Sequence, residues 1–280
     1  MVEIPSFENV ESKPGVPKPD PILTADGVMR SFGGLVAVNV RHFEVQRHSI
    51  TALIGPNGAG KSTFFNLLTG FDTAQEGHGM FDGRELRGMS SAQVARAGMV
   101  RTFQLTKALS RMTVIENMRL GAQNQGGENF ARALVSPLWK SREKEITEQA
   151  EELLTRFKLI EKKDDYAGSL SGGQRKLLEM ARALMSKPTM VMLDEPMAGV
   201  NPALTESLLD HIVDLRQEGV TVLFVEHDMH MVRRISDWVV VMAEGRIIAE
   251  GDPHEVMRDT AVQDAYLGAH HDTNLFEERS

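Results

Sequence analysis

The chain has 280 residues, 41% hydrophobic and 25% charged, which excludes a wholly disordered protein and leaves enough chain for a sizeable core. Thirty-nine acidic against 31 basic residues give a net charge of −8, which excludes unspecific nucleic-acid coating but not phosphate binding by backbone amides. The absence of cysteine excludes a disulfide scaffold, a thiolate zinc site and a cysteine nucleophile, and apolar runs no longer than the six residues Trp238–Ala243 exclude a bilayer span.

The opening MVEIPSFENVESKPG lacks the basic, apolar, small-residue order of a secretory signal, so a cytosolic address is expected. Residues 1–21 carry Pro5, Pro14, Pro17, Pro19 and Pro21 with scattered charges, and read as an extended, mobile tail. From Ile22 the runs ILTADGVMRSF, LVAVNVRHFEV and ITALI read as strands, the last feeding a Gly-rich turn and a helix over Ser62–Leu68. Gly121–Phe130 is loop text, and Ser141–Ile160 spaces Ile146, Ala150, Leu153, Leu154, Phe157 and Ile160 as a helix. A helical subdomain is therefore expected from about Gln104 to about residue 186. Thr189–Leu193 and Val220–Val225 return as apolar strands of the kind buried on both faces of a parallel sheet. Between them Asn201 caps and Pro202 opens a helix over Ala203–Gln217, closed by Gly219. Trp238–Met242 and Arg246–Ala249 form a last hairpin, and residues 269–280, with His270 and His271, are a polar tail.

Three stretches carry chemistry. Gly55, Pro56, Asn57, Gly58, Ala59, Gly60, Lys61, Ser62 and Thr63 match GxxxxGK[ST] between a strand and a helix. In that setting glycine amides converge on phosphate oxygens, Lys61 reaches the β- and γ-phosphates, and Ser62 offers its hydroxyl to Mg²⁺. Thr189–Pro196 ends an apolar strand in two acids: Asp194 suits a Mg²⁺ held through water, and Glu195 suits the polarising of an attacking water. Ser171, Gly172, Gly173 and Gln174 open a strong helix, either as its N-cap or as a second anion site.

In this order, P-loop, LSGGQ, LDEP and then a histidine past the next strand, the chain resembles the ATP-binding-cassette (ABC) ATPases. The resemblance runs over residues 22–268 and implies an α/β fold: a P-loop core with a mostly parallel sheet, an N-terminal antiparallel β subdomain and an inserted helical subdomain. It implies ATP and Mg²⁺ as cofactors, with each LSGGQ capping the ATP held by a second cassette, identical or merely similar. It places Gln104 at Mg²⁺ and the attacking water, His227 at the γ-phosphate, and Phe32 on the adenine ring. Without the family, His227 reads as a strand-end histidine and Phe32 as a core residue. Asn201 departs from the pattern, because many members carry Asp there.

A single cassette with about 110 residues between Gly60 and Leu170 and no fused span resembles a separate transport subunit. SFGGLVAV, LTGF, VRTFQ, TVIEN, AGVNP and DAYLG resemble the larger ATPase subunit of branched-chain amino acid (Liv-type) importers. That resemblance implies a peripheral place on the cytoplasmic face of the inner membrane, two permease subunits, and a substrate-binding protein reached through them. It implies no nucleic acid. The alternatives are the ATPase of a lipid or lipopolysaccharide extraction machine and a regulatory cassette that binds ATP without hydrolysing it.

Overall fold

The computed structural model describes residues 5–7, 9–102, 110–122 and 136–267, with 136–141 and 267 described through their backbone alone. Two compact units emerge: Met1–Arg101 with Thr189–Pro196 and Leu209–Ser280, and Thr102–Pro188 with Met197–Leu208.

The first unit is built on two sheets. β1 (Pro21–Phe32) and β2 (Leu35–Gln46) are long antiparallel partners, joined by β4 (Glu76–Phe81) and the two-residue β5 (Arg84–Glu85) in the order β2-β1-β4-β5. The second sheet contains β3 (Ile50–Ile54), β6 (Met99–Arg101), β7 (Met190–Asp194), β8 (Thr221–Val225), β9 (Trp238–Ala243) and β10 (Arg246–Gly251). Its order is β10-β9-β3-β8-β7-β6, parallel throughout except for the β9–β10 hairpin at one edge. Every residue of β3, β7 and β8 is buried, as strands covered on both faces require, and this is why their text is nearly continuously apolar. Helices α1 (Lys61–Leu68) and α2 (Ser91–Arg96) lie in this unit, with α7 (Met229–Ile235), α8 (Pro253–Val256) and α9 (Thr260–Leu267). Phe43 of β2 meets Phe64 of α1 edge to face at 5.1 Å in a core that includes Phe65, Phe81 and Trp238.

The leader differs from its expectation as a mobile tail. Val16 and Lys18 are both 6% exposed, and Phe7 stacks on Trp238 with ring centroids 4.9 Å apart. Lys18 Nζ donates to Glu250 Oε2 at 2.8 Å, and the same carboxylate accepts from the N–H groups of Gly15 and Val16 and from Trp238 Nε1. The prolines stop the leader from forming a helix or joining a sheet as a central strand. They do not stop it from docking through backbone N–H groups and one buried cation.

The second unit holds α3 (Val114–Leu120), α4 (Ser136–Arg156), α5 (Gly172–Leu184) and the first turns of α6 (Pro202–Gln217). Ile146, Ala150 and Leu154 form the buried stripe expected of α4, and Phe157, just past its end, is buried as well. The helix ends at Arg156 rather than running to Ile160. Lys158 adopts φ 56° and the Leu159 N–H returns to the Leu154 carbonyl at 2.7 Å, a left-handed closure made without glycine. Asn201 caps α6 as expected, its Oδ1 accepting from the Leu204 N–H at 3.0 Å. Among the described residues no helix is long and apolar enough to cross a membrane.

Candidate functional site

β3 delivers the chain into the loop of residues 55–60, and two glycines there are required by close approach. A Cβ on Gly55, at φ 147°, would stand 2.0 Å from the Met242 carbonyl oxygen. One on Gly60, at φ 98°, would stand 2.3 Å from the Ala37 oxygen. Between them the loop is pinned to the β9–β10 turn, with the Gly245 N–H donating to the Ala59 carbonyl at 3.0 Å. Gly60 then begins α1, its carbonyl accepting from the Phe64 N–H at 2.8 Å.

A cavity of about 570 Å³ opens over this loop, lined by Asn57 through Thr63, by Leu35, Val36 and Ala37 of β2, and by Glu195 and Glu244. Lys61 folds back over the loop, its Nζ donating to the Gly55 carbonyl at 2.6 Å and the Pro56 carbonyl at 2.9 Å. Burial holds the Lys61 ammonium below the usual lysine range, and the charges of Glu195 and Asp194 oppose that shift. Both acids therefore act on the same amine. The volume suits a ligand of nucleotide size, and a glycine-bearing loop with the Lys61 ammonium beside it suits its phosphates.

Asp194 is the last residue of β7 and is 7% exposed. Its Oδ2 accepts from Arg101 Nη2 at 2.6 Å. Glu195 follows at φ 46°, a left-handed conformation uncommon outside glycine. His227 lies just past β8 with its side chain 68% exposed and its Nδ1 3.7 Å from Glu226 Oε2. Phe32 is 48% exposed, so it is not a core residue. Arg30 covers one side of it, the guanidinium carbon 4.5 Å from the ring centroid, and Phe32 pairs with Leu35 at the tip of the β1–β2 hairpin. Gln104 lies outside the described residues, as do His270 and His271.

Ser171 to Gln174 lie in the second unit and form the start of α5. Ser171 Oγ accepts from the Gln174 N–H at 3.2 Å while Gln174 Oε1 accepts from the Ser171 N–H at 3.0 Å, a reciprocal capping box. The two glycines differ. A Cβ on Gly173 would meet Leu204 Cδ1 at 2.5 Å, so a side chain there would require the tip of Leu204 to move, whereas Gly172 is exposed.

Several lining residues escaped the sequence reading. Leu35, Val36 and Ala37 looked like ordinary strand text, and Glu244 looked like turn text. Arg101 lies within VRTFQ, and the sequence alone gives it no role. Tyr266 of α9 is 5% exposed, and burial pushes its phenol above the usual range against an opposing hydrogen bond with the Gly55 backbone.

The model of ABC transporters matches residues 38–198. The chain is 42% identical over 248 residues to the probable branched-chain amino acid transport ATP-binding protein LivG of Archaeoglobus fulgidus, covering 89% of this chain and 96% of that one.

The chain belongs to the ABC transporter family.

It is an ATP-binding cassette of the transport ATPases. A second model, of branched-chain amino acid ATP-binding cassette transporters, matches residues 246–272 of the cassette, from the start of β10 through α9. The cassette is also 42% identical over 250 residues to the high-affinity branched-chain amino acid transport ATP-binding protein BraF of Pseudomonas aeruginosa, covering 89% and 98% of the two chains. Among solved structures it superposes on a nucleotide-free cassette of an ABC transporter with a TM-score of 0.77 and 38% identity, over 88% of this chain and 98% of that one. An ABC transporter cassette solved in its ADP conformation gives a TM-score of 0.76 and 37% identity, over 89% and 99%. The family match of residues 38–198 spans the P-loop, the LSGGQ segment and the Asp194–Glu195 pair.

Proposed function

We propose that this cassette powers uptake of branched-chain amino acids or a related small polar solute, as the ATP-hydrolysing subunit of an importer. The observation that carries the reading is the joint match: 42% identity over most of the chain to proteins named for branched-chain amino acid transport, and a separate match of residues 246–272 to the same class. The cavity over residues 57–63 supports ATP as the ligand. Phosphate oxygens would meet the loop amides and Lys61, and the base would lie toward Phe32, Leu35 and Val36. Ser62 and Asp194 supply the hard oxygen donors that Mg²⁺ prefers, and the remaining positions suit phosphate oxygens and water. When bound, that ion would neutralise phosphate charge. Glu195, which lines the cavity, would orient the attacking water, with His227 and Gln104 assisting at the γ-phosphate.

Completion of the machine would take a second cassette, whose Ser171–Gln174 segment caps this chain's ATP and whose own ATP this chain's segment caps. Two permease subunits and a substrate-binding protein reached through them follow from the same reading, with the cassette peripheral on the cytoplasmic face of the membrane. The test is co-purification of Glu195→Gln from native membranes in ATP. Recovery of two permeases and a second cassette, together with ATP-dependent leucine uptake lost in Lys61→Ala, is the expected result. Recovery of this chain alone, self-paired on lipid-handling membrane proteins, would overturn the cargo.

A further inference from the structure

β6 and β7 run side by side in parallel, with Arg101 opposite Met192, so the two strands end next to one another at Arg101 and Asp194. The Arg101 side chain is 10% exposed and that of Asp194 8%. One arm of the guanidinium, Nη2, donates to Asp194 Oδ2 at 2.6 Å. The other, Nη1, donates to Asn66 Oδ1 at 2.6 Å and reaches Thr69 Oγ1 at 3.4 Å. The guanidinium carbon lies 5.5 Å from the Phe65 ring centroid and 5.9 Å from that of Phe71. Asn66 stands one helical turn beyond Ser62 on α1. The planar fork thus spans from the carboxylate to the helix that carries the hydroxyl.

Desolvating a buried ion pair offsets most of its Coulomb attraction, so such a pair is weak evidence of a stabilising role. A cation needed only to balance Asp194 requires one bond. This one commits its second arm to α1 and its faces to two aromatic rings.

We propose that Arg101 is a positioning residue of the ATPase site, locking the Asp194 carboxylate in register with Ser62 so that both present oxygen to the same divalent cation. The inference rests on the reading that Asp194 and Ser62 face Mg²⁺. It assigns Arg101 no contact with nucleotide or water. Two effects of the guanidinium oppose each other: its charge repels a cation at Asp194, and its fork fixes the ligand's direction. Outer-sphere groups that orient metal ligands are worth about 10–100-fold in metal affinity, and the double anchoring places Arg101 among them.

The test uses full-length Glu195→Gln protein carrying bound ATP, titrated with Mn²⁺ and followed by the electron paramagnetic resonance of free Mn²⁺. Arg101→Met is expected to weaken Mn²⁺ binding by about 10–100-fold, while ATP affinity in EDTA keeps its wild-type value. Arg101→Lys is expected to weaken it as well, because an ammonium keeps the charge but cannot span to Asn66. Asn66→Ala keeps the buried charge pair and decides the matter should Arg101→Met not fold: loosened Mn²⁺ binding supports the proposal, and unchanged binding overturns it. Tighter Mn²⁺ binding in Arg101→Met, wild-type binding in Arg101→Lys, or a parallel loss of metal-free ATP affinity would each overturn it. Absence of ATP-dependent Mn²⁺ binding with Arg101 intact would overturn the underlying assignment of Asp194 instead, and the two failures are thereby separated.

Discussion

The backbone N–H of Glu195 donates to the carbonyl of Val225 at 3.0 Å, tying the residue after β7 to the end of β8 while it holds φ 46°. A non-glycine residue in that region costs about 1–2 kcal/mol, a strain that the surrounding strands sustain. Glu195→Gln keeps both the backbone and the side-chain length. ATP binding by calorimetry should remain, while steady-state turnover falls about 10²–10⁴-fold, the usual worth of a positioned general base. Survival of the wild-type rate would assign the water to another group.

Lys61 donates to two carbonyls of its own loop. Lys61→Ala removes the one ammonium among the described residues that line the cavity, so ATP affinity should drop by more than an order of magnitude. Unchanged affinity in calorimetry would remove the phosphates from this loop.

Phe32 is half exposed with one side covered by Arg30. Phe32→Ala should weaken ATP by about 1–3 kcal/mol, the value of one base–aromatic stack. Its effect on folding stability should stay within about 0.5 kcal/mol, as for exposed positions generally. Denaturant unfolding and calorimetry on the same variant separate the two.

Glu179 of α5 is 6% exposed, and burial raises its carboxyl to about 7 against the pull of Lys176, Arg182 and Arg175. A folded acid with a raised pKa holds a proton that the unfolded chain releases, so stability falls as pH rises from the ordinary carboxylate range to about 7, and is lowest above it. Glu179→Gln should be the more stable protein at pH 8, by on the order of 3 kcal/mol, and lose the advantage near pH 4.5. Parallel melting curves of both proteins across that window check the sign.

Lys18 and Glu250 form an ion pair with both side chains 1% exposed. Lys18→Met leaves the buried Glu250 carboxylate without its cation and should cost about 3–5 kcal/mol, with Lys18→Met/Glu250→Gln recovering part of the loss. Additive losses in the double variant would show that the pair is not coupled.

The parallel core was legible because burial on both faces leaves nearly continuous apolar text in β7 and β8, and because Asn201-Pro202 carries the chemistry of a helix start. β4 was not legible. Its text EGHGMF contains two glycines and a single buried residue, and it is a strand because β1 offers it a register from Leu23–Phe81 to Met29–Glu76. β6 has three residues, too few to show a period. In the candidate site, residues 57–63 and Glu195 line one cavity, and all were named from sequence. Arg101 was not, since only strand pairing reveals that it ends beside Asp194. Glu250 was missed because its partners in the leader, Gly15, Val16 and Lys18, lie more than 230 positions away along the chain.

That separation has a consequence for synthesis on the ribosome. Lys18 emerges 232 residues before Glu250, a delay on the order of ten to fifty seconds at ~5–20 residues per second. During that interval the leader has neither its carboxylate nor Trp238 to dock against, so it can close only after β10 has left the exit tunnel. Its docking is therefore a late folding event. A nascent chain cut short before residue 250 would carry an unlatched amino-terminal arm open to proteases, and limited proteolysis of stalled chains would report when the latch shuts.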